Sequence, residues 1–198
     1  MVIRQCSIVI ASLILAVGVA GGVWAGMPAD QVRLQIERIV KVLADPALNR
    51  PGYEHVRHAA VARIAEEAFD LREMTRRTLG PHWQGLTDAE RAEFVTLFGD
   101  LLDRAYFTRI AAYNGEKITV LADSIDGDLA TVRTRIVTQQ GTEVPVDYRM
   151  LRRGDRWVVY DVSIEGVSLV ANYRAQFNRI IQTSSYQALV DKLKAKRG

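Results

Sequence analysis

The sequence predicts an α+β domain in which a helical layer packs on one face of a curved antiparallel four-stranded sheet. Three observations lead to this prediction. Apolar residues recur at three- and four-residue steps up to about position 113, they alternate between 117 and 164, and the helical period returns after Gly166. Four consecutive strands with short turns favour an antiparallel meander, and the flanking helices must bury their apolar sides against it.

Four helices are predicted in the first half of the chain: residues 29–43, 53–68, 71–79 and 88–113. Asp70 is in position to cap the third helix. Thr87 and Glu90 form a capping box at the start of the fourth, which is the longest. Its apolar stripe is wide, so this helix requires either two neighbours or one neighbour and a ligand.

Four strands follow: residues 117–122, 129–139, 142–151 and 156–164. Each is separated from the next by a glycine-containing turn, which is typical of hairpins. The third strand alternates apolar and polar side chains, so one of its faces is buried. In the fourth strand the period of two places four apolar residues on one side: Val158, Tyr160, Val162 and Ile164.

Gly166 is a plausible pivot between the last strand and a helix, since glycine turns without steric cost. Val167, Val170, Tyr173 and Phe177 then recur at helical steps. Ser184 is predicted to cap a final helix. A strand that leads directly into an apolar-faced helix makes a corner of the core, and we expect this corner to line an apolar pocket between the two layers.

The amino terminus has the order of parts of a secretory signal peptide. An uncharged run follows Arg4, and Ala25 offers a cleavage site, so we expect residues 1–25 to be removed and residues 26–198 to form one domain. An uncleaved membrane anchor is the alternative. The lone Cys6 lies in the leader, which leaves an exported domain without disulfides. A formal net charge of +3 is too small to indicate a nucleic-acid partner.

The sequence offers no convincing catalytic or metal site. His55 and His58 share one helical face, but zinc requires further ligands. Asp161 and Glu165 are four residues apart and could act as an acid–base pair. The structural alternative is that Asp161 binds backbone amides or Arg174 while Glu165 holds the turn, since a buried carboxylate needs a partner in any case. We therefore expect no enzyme activity and no cofactor.

Three long segments resemble the MlaC family, also called toluene-tolerance or organic-solvent-resistance proteins. They are residues 159–177 (VYDVxIEGVSLVxNYRxQF), residues 69–80 (FDLxxMxxxTLG) with Trp83 after them, and residues 94–113 (FxxLFxxLLxxxYxxRIxxY). The resemblance is colinear from about residue 30 to 195. It implies a periplasmic carrier whose cargo is a glycerophospholipid, and a nuclear-transport-factor-like fold that holds the acyl chains between its layers.

The resemblance also implies partners. They are an outer-membrane lipoprotein–porin complex and an inner-membrane ABC transporter with an MCE-type subunit, which together maintain outer-membrane lipid asymmetry. We expect the carrier to be a monomer. An envelope adaptor with a solid core is the alternative from a different functional class, and an esterase or lipase is a third that lacks a nucleophile.

The pocket implied by this reading would be lined by inward-facing apolar and tyrosine side chains. The predicted lipid-binding residues are Tyr106, Ile110, Tyr113, Val144, Val146, Tyr148, Met150, Val158, Tyr160, Val162, Ile164, Val167, Val170 and Tyr173. Tyrosines suit the role because a ring can face an acyl chain while its hydroxyl reaches water. Arg109 or Arg174 could meet the phosphate, with a structural ion pair as the alternative.

Overall fold

A computed structural model describes residues 27–196, so the predicted signal peptide lies outside the described residues. The helices are α1 Pro28–Ala44, α2 Glu54–Ala68, α3 Leu71–Leu79, α4 Asp88–Ala111, α5 Leu169–Thr183 and α6 Tyr186–Ala195. A short 3-10 helix, Gly80–Gly85, joins α3 to α4. The strands are β1 Lys117–Asp126, β2 Leu129–Val137, β3 Glu143–Arg153, β4 Arg156–Ile164 and β5 Val167–Ser168. Within this range no helix has both the length and the apolar character to cross a membrane.

The predicted α+β architecture is confirmed, but the antiparallel sheet has five strands where four were predicted. The order is β1-β2-β3-β4-β5. Glu165 and Gly166 both have positive φ, 51° and 81°, as the two central residues of a type I′ hairpin turn require. The chain therefore forms a hairpin where the sequence predicted a direct pivot into a helix. Ser168 at the end of β5 then caps α5.

A β-bulge changes which residues of β4 share a face. Arg149 pairs with Asp161 and Met150 pairs with Val159, so Tyr160 has no partner in the ladder. One extra residue at this point reverses the alternation on either side of it. The prediction that Val158, Tyr160, Val162 and Ile164 lie on one face is therefore wrong. Val159 and Val162 share a face instead.

The helix caps follow the sequence closely. The Asp70 carboxylate accepts a hydrogen bond from the Glu73 amide at 2.8 Å, and the Thr87–Glu90 capping box is complete. The prediction for the last helix is displaced by one residue. Ser185, not Ser184, accepts the hydrogen bond from the Ala188 amide.

The buried apolar residues form two separate cores. The helical core lies among α3, α4, α5 and α6, and its buried members are Met74, Leu79, Trp83, Phe94, Leu97, Phe98, Val170, Phe177, Leu189, Val190 and Leu193. The sheet core lies between α1 and the sheet, and its buried members are Val32, Ala130, Val132, Val146, Met150, Trp157, Val159 and Val162. Phe69, between α2 and α3, packs against both.

Candidate functional site

One face of the sheet carries a nearly continuous apolar surface, here called the apolar face. Residues that pair directly across antiparallel strands point to the same side, so the register identifies its members. They are Ile118, Val120, Asp123 and Ile125 of β1, Ala130, Val132, Thr134 and Ile136 of β2, Val144, Val146, Tyr148 and Met150 of β3, and Trp157, Val159, Val162 and Ile164 of β4. Such a surface must be covered by another element or by a ligand.

Helix α1 covers one end of the apolar face. Val32 and Ile36 pack against the sheet, and two hydrogen bonds fix the helix in position. The Ala29 amide donates to the Asp123 carboxylate at 3.2 Å, and the Trp157 amide donates to the side-chain oxygen of Gln31 at 2.8 Å. At this end Ala130, Met150 and Val159 of the sheet are buried, whereas Ile125 of the edge strand β1 is 47% exposed.

The opposite end of the apolar face, here called the open end, is covered less completely. Ile118, Ile136 and Val144 form a row across three strands, and each is only half-buried. The side-chain amide of Gln139 donates to the Asn114 carbonyl at 2.5 Å, which brings the chain after α4 beside this end. Tyr113, which precedes Asn114, is also half-buried. The open end is thus the place where the apolar residues of the central strands β2 and β3 remain partly accessible, whereas at the α1 end Ala130 and Met150 of the same strands are buried.

The structure brings together six of the predicted site residues on the apolar face: Val144, Val146, Tyr148, Met150, Val162 and Ile164. Burial raises the pKa of the Tyr148 hydroxyl, and a hydrogen bond with Thr134 acts in the opposite direction. The sequence reading omitted the equivalent positions of β1 and β2, such as Val120 and Ile136. Their alternation was visible and would have identified them once the meander had been assigned.

The predicted residues of α4 and α5 divide between the helical core and the surface. Tyr173 packs in the helical core, where its ring centroid lies 5.3 Å from that of Phe98. Burial, together with the neighbouring Tyr106, raises the pKa of Tyr173 to about 12. Ile110 is 39% exposed. The second half of α4 thus carries apolar side chains that the helical core does not enclose.

Four other predicted residues lie away from the apolar face. Val158 points to its opposite side as the partner of Leu151, and Tyr160 packs in the helical core with the Arg77 guanidinium 3.9 Å from its ring. Val170 is buried in the helical core, and Val167 in β5 is exposed. The β4 bulge and the β5 hairpin account for these positions.

Asp161 is a buried capping residue. One carboxylate oxygen accepts from the Val170 amide at 3.0 Å and the other from the Ser168 hydroxyl at 2.6 Å. The Arg149 guanidinium lies 3.6 Å away. The structural alternative predicted that Asp161 binds backbone amides or Arg174. Its contact with a backbone amide is confirmed, but the arginine beside it is Arg149 and not Arg174. Arg174 donates instead to the Arg77 carbonyl at 2.7 Å.

Glu73 forms a compact ionic cluster with Arg76 and Arg77, each at 2.7 Å. The hydrogen bond from Arg76, aided by Arg77, lowers the pKa of Glu73 from 4.5 to about 2. Because the folded-state pKa lies below the unfolded value, this stabilisation is present above about pH 4.5 and is lost as the pH falls towards 2.

Replacing Glu73 with glutamine should therefore lower the free energy of unfolding near neutral pH and have progressively less effect below pH 4.5. Urea denaturation of both proteins at a series of pH values measures the difference. A difference that does not change between pH 7 and pH 3 would show that the Glu73 charge contributes nothing to folding.

The histidines do not form a metal site in the described residues. His58 Nε2 lies 2.9 Å from both carboxylate oxygens of Asp103, and its ring packs on Phe107 with centroids 4.0 Å apart. These contacts join α2 to the second half of α4. No group of three or more potential metal ligands occurs between residues 27 and 196.

Two clefts in residues 27–196 lie away from the apolar face. One, of about 370 Å³, lies between the start of the 3-10 helix and α5, beside Pro81 and Arg174. The other, of about 510 Å³, lies between α1 and α2. The pocket between the helical layer and the sheet thus stays a prediction.

Comparison with known proteins agrees with this architecture. A phospholipid-binding protein from Ralstonia solanacearum, solved in complex with a phospholipid, superposes with a TM-score of 0.75 over 84% of this chain and 94% of its own, at 23% identity. The "intermembrane phospholipid transport system binding protein MlaC" of Haemophilus influenzae is 24% identical over 122 residues. That match spans 59% of this chain and 57% of the relative's length.

A family model describes most of the chain. The model of the MlaC protein family matches residues 34–195, which include every element from within α1 to the end of α6. The three sequence segments that resemble this family all lie inside the matched range. The chain therefore belongs to the MlaC family.

Proposed function

We propose that this protein is a periplasmic carrier that binds a glycerophospholipid without reacting with it. In this proposal it acts as a monomer that exchanges lipid with an outer-membrane lipoprotein–porin complex and an inner-membrane MCE-type ABC transporter, and so maintains outer-membrane lipid asymmetry. Family membership, the name of the Haemophilus relative and the lipid-bound Ralstonia structure support lipid transport. The half-covered row at the open end is the structural observation that carries the proposal.

A carrier must bury a large apolar area of its lipid. A phospholipid exposes roughly 30 methylenes, each worth about 0.8 kcal/mol when buried, so transfer through water alone is strongly disfavoured. The apolar face provides a matching surface at Ile118, Ile136 and Val144. Deeper residues such as Val146 and Val162 are already buried, so the acyl chains enter from the open end and separate the sheet from its helical cover.

We therefore propose that the lipid contacts are made by the six predicted residues on the apolar face, by Ile118, Val120 and Ile136 beside them, and by three side chains in and just after the last turns of α4. This last group consists of Tyr106, Ile110 and Tyr113. Val158 and Tyr160 are left out of this set because the β4 bulge turns them away. No nucleophile is required for such a site, in agreement with a carrier role.

A matched pair of substitutions tests the site. Ile136 and Val137 are adjacent and both half-buried in β2, but they point to opposite faces. Ile136→Glu should remove most of the phospholipid that co-purifies with the protein, because it places a charge where acyl chains lie. Val137→Glu should leave the lipid content unchanged. Organic extraction and native mass spectrometry measure bound lipid, and thermal unfolding verifies folding.

Equal lipid content in the two folded variants would contradict the proposed site. A wild-type protein without extractable lipid would contradict the carrier function itself. That result would favour the envelope adaptor with a solid core, for which the filled space between α1 and the sheet is sufficient. A labelled phospholipid incubated with the protein tests the enzyme alternative, and recovery of intact lipid is the expected result.

A further inference from the structure

The cleft between α1 and α2 has an apolar floor and is separate from the apolar face of the sheet. Its floor is formed by Val56, Ala59, Ala60 and Ile64 of α2 and by Val42 of α1. Val56 is 39% exposed. The α2 positions recur at helical steps, so they form one stripe about 12 Å long at 1.5 Å per residue. The two alanines keep the floor low, which lets another backbone approach closely.

The rim of this cleft is basic. Arg38 and Lys41 line the α1 side and Arg63 lines the α2 side. Arg38 pairs with Glu67, and that one carboxylate also lies close to Arg63 and Arg156. Within residues 27–196, neither Lys41 nor Arg63 has a carboxylate at ion-pair distance. Cationic charge around the floor therefore exceeds the acidic charge that contacts it.

Helix α1 connects the cleft to the apolar face. Val32 and Ile36 pack on the sheet, whereas Arg38, Lys41 and Val42 line the cleft. A molecule seated between α1 and α2 would therefore contact the same helix that covers one end of the apolar face. Binding there acts on the cover of the sheet without occupying the sheet itself.

We propose that the α1–α2 cleft is a docking groove for an amphipathic helix of a protein partner, with an apolar stripe flanked by Asp and Glu. The apolar floor takes the stripe, and Lys41 and Arg63 pair with the flanking carboxylates. Helix-in-groove recognition uses this combination of an apolar channel and a charged rim. The inference does not rest on lipid carriage, since an adaptor would need such a groove as well.

The test uses a fluorescein-labelled synthetic helix of about 16 residues with a leucine stripe and flanking glutamates, long enough to span the groove. Fluorescence anisotropy measures its binding to the full-length protein. Lys41→Glu combined with Arg63→Glu should weaken binding by about tenfold or more, because two attractive pairs become repulsive. A second peptide with lysines in place of the glutamates should instead bind the double variant better than the wild type.

The charge-matched control is Arg179→Glu combined with Lys192→Glu, two exposed residues of α5 and α6 that line neither of the two clefts. It should bind the acidic peptide as the wild type does. Ala59→Phe fills the floor of the cleft at an exposed position. It should weaken binding of the acidic peptide when introduced into the wild type, and binding of the lysine peptide when introduced into the double variant. Circular dichroism and thermal unfolding verify that each variant is folded.

Equal loss of binding in the control, or no loss in the groove variants, would overturn the proposal. A third outcome would also overturn it: no peptide binding, with co-sedimentation on phosphatidylglycerol-containing vesicles that the groove variants abolish. In that case the cleft would meet a membrane surface and not a protein. Lipid content is measured on each sample separately, so failure of the carrier function is distinguished from failure of the groove.

Discussion

Phe98→Ala is expected to lower the free energy of unfolding by about 4 kcal/mol. Phe98 is 0% exposed in the helical core and makes ring contacts with Tyr173 at 5.3 Å and Phe177 at 5.8 Å. Removing the ring loses its transfer free energy and leaves a cavity that α4 and α5 cannot readily close, since both are held by further contacts. Urea denaturation followed by circular dichroism measures the loss.

Phe107→Ala is the matched control on the same helix. Its ring is half-buried and contacts His58, so the same deletion should cost about 1.5 kcal/mol or less. The comparison separates burial from residue type. Similar losses at the two positions would show that the second half of α4 is as firmly packed as the first, which contradicts the exposure seen at Ile110.

Asp161→Ala is expected to cost about 3 kcal/mol, because it leaves buried donors without an acceptor. Asp161 is 2% exposed and accepts from the Val170 amide and the Ser168 hydroxyl, which join β4 to the start of α5. Asp161→Asn retains one carbonyl oxygen for the Val170 amide and should recover about half of the loss. Denaturant unfolding near neutral pH measures all three proteins.

The control for this experiment is Asp147→Ala. Asp147 lies on the same side of the sheet, paired with Ser163, but is only half-buried. A change within about 0.5 kcal/mol is expected there. If Asp161→Ala were equally mild, the carboxylate would not be the element that fixes α5 on the sheet.

Local signals predicted the elements well. Asp70 and Thr87 cap the helices that their sequence context indicates, because an Ncap depends on residues within one turn. The periods of 3.6 and 2 likewise distinguished helices from strands. The family resemblance agrees with the match over residues 34–195.

Features that depend on pairing between segments could not be predicted in this way. The β4 bulge is set by the register against β3, which no period within β4 contains. β5 is two residues long and exists only because the Glu165–Gly166 turn returns it to β4. The register therefore agrees with the prediction that Val144, Val146, Tyr148 and Met150 share one face of β3, and it places Val158 and Tyr160 on the other side of the sheet.

The division into two apolar cores affects which part of the molecule can open locally. Among residues 27–196 a single apolar side chain, Phe69, packs against both clusters, so few apolar contacts join one to the other. The bundle of α3, α4, α5 and α6 can therefore stay packed while α1 separates from the sheet. Cooperative opening confined to one such unit, and not global melting, is the motion that this architecture favours.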